Sequence, residues 1–144
     1  MEFTVYGEPV AKGRPNFSTR GGYVRAVTPE KTVNYENLVR LSYQQQCGDK
    51  PYDKDIQLRA HIYAYFSIPK SASKKKQRDM QAMILRPTKK PDLDNIAKAI
   101  LDALNGIAFY DDSQIVQLQV DKFYSDIPRV DVFIDTTFRR ENDE

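Results

Sequence analysis

From Ile56 to Ile68 the chain alternates without a break: Ile56, Leu58, Ala60, Ile62, Ala64, Phe66 and Ile68 stand on one side, with Gln57, Arg59, His61, Tyr63, Tyr65 and Ser67 between them. Only an extended strand puts every second residue on one face, so this run predicts a long strand with one side against a core. Such a strand needs partners, and the sequence offers three. EFTVY at residues 2–6 reads as a first strand ending at Gly7. Residues 115–124 and 130–137 read as two late strands joined by the turn Asp126-Ile127-Pro128-Arg129. A sheet of about four strands is therefore the organising element, and the rest of the chain must cover its apolar face.

Three helices are predicted to do so. The clearest spans about Asp92 to Asn105, where Leu93, Ile96, Ala97, Ile100, Leu101 and Leu104 form an apolar stripe at helical spacing and Gly106 stops it. Thr28-Pro29-Glu30 gives an earlier start, a capping hydroxyl with proline in the first helical position, and that helix runs to Gln46 with Gly48 beyond it. Val33, Leu38, Leu41 and Cys47 fall loosely on its apolar side. Ser73 caps a short helix through about Leu85, with Met80, Met83 and Ile84 as its apolar side. The order β, α, β, α, α, β, β predicts an α+β fold, a small mixed sheet with helices packed on it. One domain over residues 1–138 suits a chain of 144 residues, and the acidic tail 139–144 is expected to fray. Between the first strand and first helix lies a glycine- and proline-rich segment carrying Lys12, Arg14, Arg20 and Arg25, with a hairpin expected around Gly21-Gly22.

Net charge is only +2, but its distribution is uneven: residues 70–90 carry +7 and residues 91–144 carry −7. Cations that grip phosphates beside carboxylates that hold metal are what a hydrolytic nuclease needs, although two solvated surfaces of opposite sign would look the same. No apolar run approaches the ~20 residues of a membrane span, and the N-terminus lacks the features of a secretion signal. With Cys47 the single cysteine, a reducing, cytoplasmic setting is expected, with no membrane partner. His61 has no histidine or cysteine companion and reads as a sheet-surface residue.

The candidate chemistry lies in KKPDLDN and YDDS. Asp92 and Asp94 sit at a helix N-terminus, Lys98 follows Asp94 by four residues on the same face, and Asp111 and Asp112 lie past the helix. Each alone has an ordinary reading: helix cap, ion-pair partner, solvated turn. Together they suit Mg²⁺, or Mn²⁺ in its place, which prefer hard oxygen ligands; zinc and any small-molecule cofactor find no support. From Asp94 to Asn105 a helix covers about 18 Å at ~1.5 Å per residue. Residues 106–112 can stretch about 24 Å at ~3.4 Å each, so they can just return to the helix start, or a dimer partner can supply one set. Asp102, Asp121 and Asp131 read as surface acids outside the site. Lys12, Arg14, Lys74, Lys75, Lys76, Lys89 and Lys90 are candidate DNA contacts on charge alone. Phe17, Tyr23 and Tyr52 are loop aromatics able to enter a DNA junction, but core packing is the commoner use and none is assigned.

KPDLDNIAKAILDALNGIAFYDDSQI strongly resembles the signature of the RusA family of Holliday-junction resolvases of bacteria and prophages, and GEPVAKGRP resembles the opening motif of many members. The likeness runs from about Glu2 to Ile134. It implies a RusA-like homodimer that binds four-way DNA junctions and makes two symmetric nicks with Mg²⁺ or Mn²⁺. The family's essential acids fall on Asp92, Asp94 and Asp112 with Asp111 beside them, and its essential lysine falls on Lys98. Loop length before the second acidic pair varies in the family, which leaves Asp111 against Asp112 open as principal ligand. Alternative readings are a nuclease of other DNA structures, a non-catalytic DNA-binding module whose acids are only caps and turns, and an RNA-directed hydrolase.

Overall fold

The computed structural model describes residues 1–13, 16–27 and 29–137. In chain order the elements are β1 (Glu2–Tyr6), β2 (Asn16–Ser18), β3 (Arg25–Val27), α1 (Glu30–Cys47), β4 (Leu58–Ser67), α2 (Lys74–Gln81), α3 (Leu93–Leu104), β5 (Ile115–Ser125) and β6 (Arg129–Thr136). Four strands make one sheet in the order β1-β6-β4-β5. β4 runs parallel to β5 and antiparallel to β6, and β6 runs antiparallel to β1, so the sheet is mixed and the fold α+β. A parallel neighbour needs a crossover, and the segment holding α2 and α3 provides it. β2 and β3 pair only with each other, as a ribbon turning through Arg20–Gly22 where the hairpin was expected.

The alternating residues of β4 carry out what their period requires. Leu58, Ala60, Ile62 and Ala64 are buried, level with Val130, Val132 and Ile134 of β6 and beside Phe3 and Val5 of β1. Ile96, Ala97, Ile100 and Leu104 of α3 join that core together with Tyr35, Val39 and Tyr43 of α1. Full burial stabilises each large apolar side chain by roughly 1.5–3 kcal/mol, which is what holds the helices to the sheet. On the opposite face the side chains cover one another. His61 stacks on Tyr63 at 3.9 Å, Tyr65 on Phe123 at 5.5 Å, and the guanidinium groups of Arg129 and Arg86 each lie 4.0 Å from a ring, those of Tyr65 and Phe123.

Three local expectations are corrected. α1 starts at Glu30, with Pro29 held extended (ψ 141°) at the N-cap position rather than inside the helix; the expected Thr28 cap lies outside the described residues. Its buried face is Thr32, Tyr35, Val39, Ser42 and Tyr43, while Val33, Leu38 and Leu41 are exposed. Polar residues take that face because their hydroxyls are satisfied there: Ser42 Oγ donates to the Leu38 carbonyl at 2.7 Å and Thr32 Oγ1 accepts from the Gly13 N–H at 2.9 Å. α2 is capped by Ser73, as expected, but ends at Gln81. Met83 takes a left-handed conformation (φ 63°), and the Ile84 N–H closes onto the Asp79 carbonyl, a helix stop usually made by glycine. Met80 is therefore buried, whereas Met83 and Ile84 are turned outward.

Candidate active site

α3 positions the first acidic pair. Asp92 occupies the N-cap position in extended geometry, yet its carboxylate makes no capping hydrogen bond. It sits below the usual carboxylate range, held there first by its own backbone N–H and then by the Asn95 side chain, with Lys90 adding a smaller pull. The Asp94 carboxyl, in the first turn, lies within hydrogen-bond reach of it. Lys98 is exposed on the same helix and makes no ion pair among the described residues, so it is not the partner of Asp94 that its spacing allowed.

The second acidic pair is fixed at the other end. Gly106 turns the chain at φ 78°, the Ala108 N–H donates to the Leu104 carbonyl at 3.0 Å, and the Gly106 N–H to the Phe109 carbonyl at 3.0 Å. Ala108 and Phe109 are fully buried, pinning this turn beneath α3. Residues 106–112, which could have stretched back to the helix start, instead stay at its C-terminal end. Asp111 is depressed first by its hydrogen bond from the Ser113 hydroxyl, and its carboxylate also reaches the Asn105 side chain, the C-cap of α3. From Asp92 to Asn105 the helix spans about 20 Å at ~1.5 Å per residue. Carboxylates sharing one Mg²⁺ must each come within about 2.1 Å of it. Among the described residues no three acidic, histidine or cysteine side chains lie close enough to hold a metal. One chain thus brings Asp92 and Asp94 together, and Asp111 next to Asp112, but not the two pairs.

Sequence reasoning missed Gln114. Its Oε1 accepts from the backbone N–H groups of Tyr110 (2.9 Å) and Asp111 (3.1 Å), and its Nε2 donates to the carbonyls of Asp53 (2.9 Å) and Ile56 (3.1 Å). It closes a capping box with Asp111 and ties the acidic turn to the approach to β4. The Asp-x-x-Gln spacing was the available signal. The three acids left outside the site each have a structural partner: Asp102 with Lys12 at 3.2 Å, Asp121 with His61 at 2.8 Å and Arg86 at 3.3 Å, Asp131 with Arg129 at 3.3 Å. Asp92, Asp94, Asp111 and Asp112 make no ion pair among the described residues.

Of the candidate DNA contacts, Lys12 is engaged within the fold, its Nζ 2.6 Å from Glu36 and 3.2 Å from Asp102. Arg14 lies outside the described residues. Lys74, Lys75 and Lys76 on α2, with Lys89 and Lys90 before α3, are exposed and unpaired among the described residues. The free cations therefore lead along the chain to the α3 N-terminus.

Residues 6–135 match the family model described as Endodeoxyribonuclease RusA. The chain is also similar to a protein of Bacillus subtilis (strain 168) described as uncharacterized protein YqaN, being 42% identical over 134 residues. That alignment takes in 93% of this chain and 94% of the relative, so the likeness is one of whole chains rather than of a single motif.

Proposed function

The chain belongs to the RusA family of endodeoxyribonucleases, and from that premise we propose that it is a divalent-metal-dependent nuclease that resolves four-way DNA junctions by paired symmetric nicks. The observation carrying this reading is that two exposed acidic pairs bracket α3 while neither capping it through Asp92 nor pairing with cations. Their oxygen donors suit Mg²⁺ or Mn²⁺, but each pair alone is an incomplete set. We infer that a second copy completes it, Asp92 and Asp94 of one chain facing Asp111 and Asp112 of the other. A two-fold axis crossing α3 near its middle sets each helix start against its partner's helix end and yields two equivalent centres, one for each nick. Exposed Val116 and Leu118 on β5, just past the second acidic pair, give such a pairing an apolar seat.

The bound cation would supply Lewis-acid activation of the phosphodiester and a water acidified for attack. The chain's own contributions are separate from that. Asp92 stays ionised under the pull of its own N–H and Asn95. Gln114 fixes the acidic turn, and the Lys98 ammonium, without an ion pair among the described residues, is placed to offset charge building on the phosphate.

The test uses two disabled variants, Asp94→Asn and Asp112→Asn, on a labelled four-way junction. Each alone should be inactive. A purified mixed dimer should regain one nick per junction, because one of its two centres then carries no substitution. A mixed dimer as dead as its parents would overturn the shared centre. A wild-type protein that cuts no junction with Mg²⁺ or Mn²⁺ would overturn the nuclease itself. Equal cutting of flaps or plain duplex would mark a broader structural preference.

A further inference from the structure

We propose that the β2–β3 ribbon is a stacking wedge, in which Phe17 and Tyr23 receive unstacked bases at the branch point of the DNA; this rests on the nuclease reading above. Phe17 is 74% exposed, Tyr23 71% and Val24 72%. Single exposed apolar side chains are ordinary, but these three fall within eight residues, on a ribbon whose strands, among the described residues, pair only with each other. The segment is also basic. Between Glu8 and Glu30 the sequence has Arg14, Arg20 and Arg25, besides the Lys12 that Glu36 and Asp102 already hold, and no acid, which favours a polyanion over a protein surface as its occupant. Exposed aromatic rings with nearby cations are the equipment for binding unpaired nucleotides, rings taking the bases and cations the phosphates. Apolar side chains inserted between base steps also open and kink a duplex.

The ribbon's root decides where this happens. The Lys12 N–H donates to the Asn95 carbonyl in the first turn of α3 at 3.3 Å, and Lys12 Nζ is held by Glu36 and Asp102. The Gly13 N–H donates to Thr32 Oγ1, and a Cβ at Gly13 would stand 2.7 Å from that oxygen and 3.0 Å from Pro29 Cγ, so only glycine admits this approach. The chain is thus anchored at Lys12 and Gly13, and Lys12 is tied to the first turn of α3, the turn that carries Asp94. Phe17 lies five residues from Lys12 and so no more than about 17 Å from that anchor at ~3.4 Å per residue. At a four-way junction, the bases next to the strand exchange are those most easily unstacked. A ring delivered there would select branched over linear DNA without reading sequence.

The experiment places 2-aminopurine at the branch point of one junction and in mid-arm of another, and follows its fluorescence in Ca²⁺ as protein is added. Wild type should brighten the branch-point probe only. Phe17→Ala and Tyr23→Ala should lose most of that rise and about tenfold in junction affinity, with duplex affinity changed less than about threefold. Phe17→Trp and Tyr23→Phe should retain the signal, and Phe17→Leu should not. Both positions are exposed, so melting temperatures should stay put and an unfolded variant is readily recognised. If the alanine variants keep the full rise and the junction preference, the wedge is overturned while the nuclease stands. If wild type binds no junction, both fall.

Discussion

The Asp92 carboxylate makes no capping hydrogen bond and is held below the usual carboxylate range by its own backbone N–H and the Asn95 side chain, so its replacement should separate chemistry from stability. Asp92→Asn is expected to lower junction cleavage by at least about a hundredfold and to leave the melting curve almost unmoved, because no capping hydrogen bond is lost. A melting loss of full cap size with cleavage intact would return Asp92 to a purely structural role. Asp121 behaves oppositely. Its carboxyl is depressed first by the His61 hydrogen bond, with Gln119 and Arg86 assisting. A folded-state value below the unfolded one means its stabilisation is present above about pH 4 and is lost as pH falls through the depressed value. Asp121→Asn should therefore flatten the acid limb of a stability-versus-pH curve.

The lysines of α2 are exposed and unpaired among the described residues, whereas Lys12 is held by two carboxylates, and salt dependence distinguishes the two situations. Replacing Lys74, Lys75 and Lys76 by alanine should reduce the slope of log affinity against log salt by about 0.9 for each phosphate those lysines neutralise. Lys12→Met should leave that slope alone and instead lower stability by about 1 kcal/mol, a figure kept small by partial solvent screening. The difference was not readable from residue type, because charge counts do not say which cations the fold consumes. β4 and α3 were legible because each buries a single stripe of apolar residues with a clean period. α1 was not, since tyrosine, threonine and serine occupy its inner face, and for Thr32 and Ser42 only their hydrogen bonds show why. The stop of α2 at Met83 was hidden by the absence of a glycine. For the candidate site, spacing singled out the acidic residues as candidates, but whether residues 106–112 return along α3 depended on two burials, Ala108 and Phe109, that spacing does not encode.

Across the whole molecule, the structure sets basic α2 and the Lys89-Lys90 approach ahead of an acidic half in which Asp92, Asp94, Asp111 and Asp112, without ion pairs among the described residues, stand at the two ends of α3. Under the proposed pairing, a charge introduced at exposed Val116 or Leu118 should disturb the dimer before the fold. Val116→Glu and Leu118→Glu are expected to shift sedimentation toward the monomer, remove cleavage, and leave the melting temperature within a few degrees, because both residues are already exposed. A variant that sediments as a monomer yet still cuts junctions would break the link between pairing and chemistry. Under the proposed shared centre, the separation of the acidic pairs along α3 also has a consequence for the cell that makes the protein. A nuclease whose centre needs two chains has an active population that rises with the square of expression while monomers predominate. A low, leaky level of synthesis then leaves the chromosome nearly untouched, and a modest induction gives a disproportionate rise in cutting. The length of one helix would thus act as a dosage threshold.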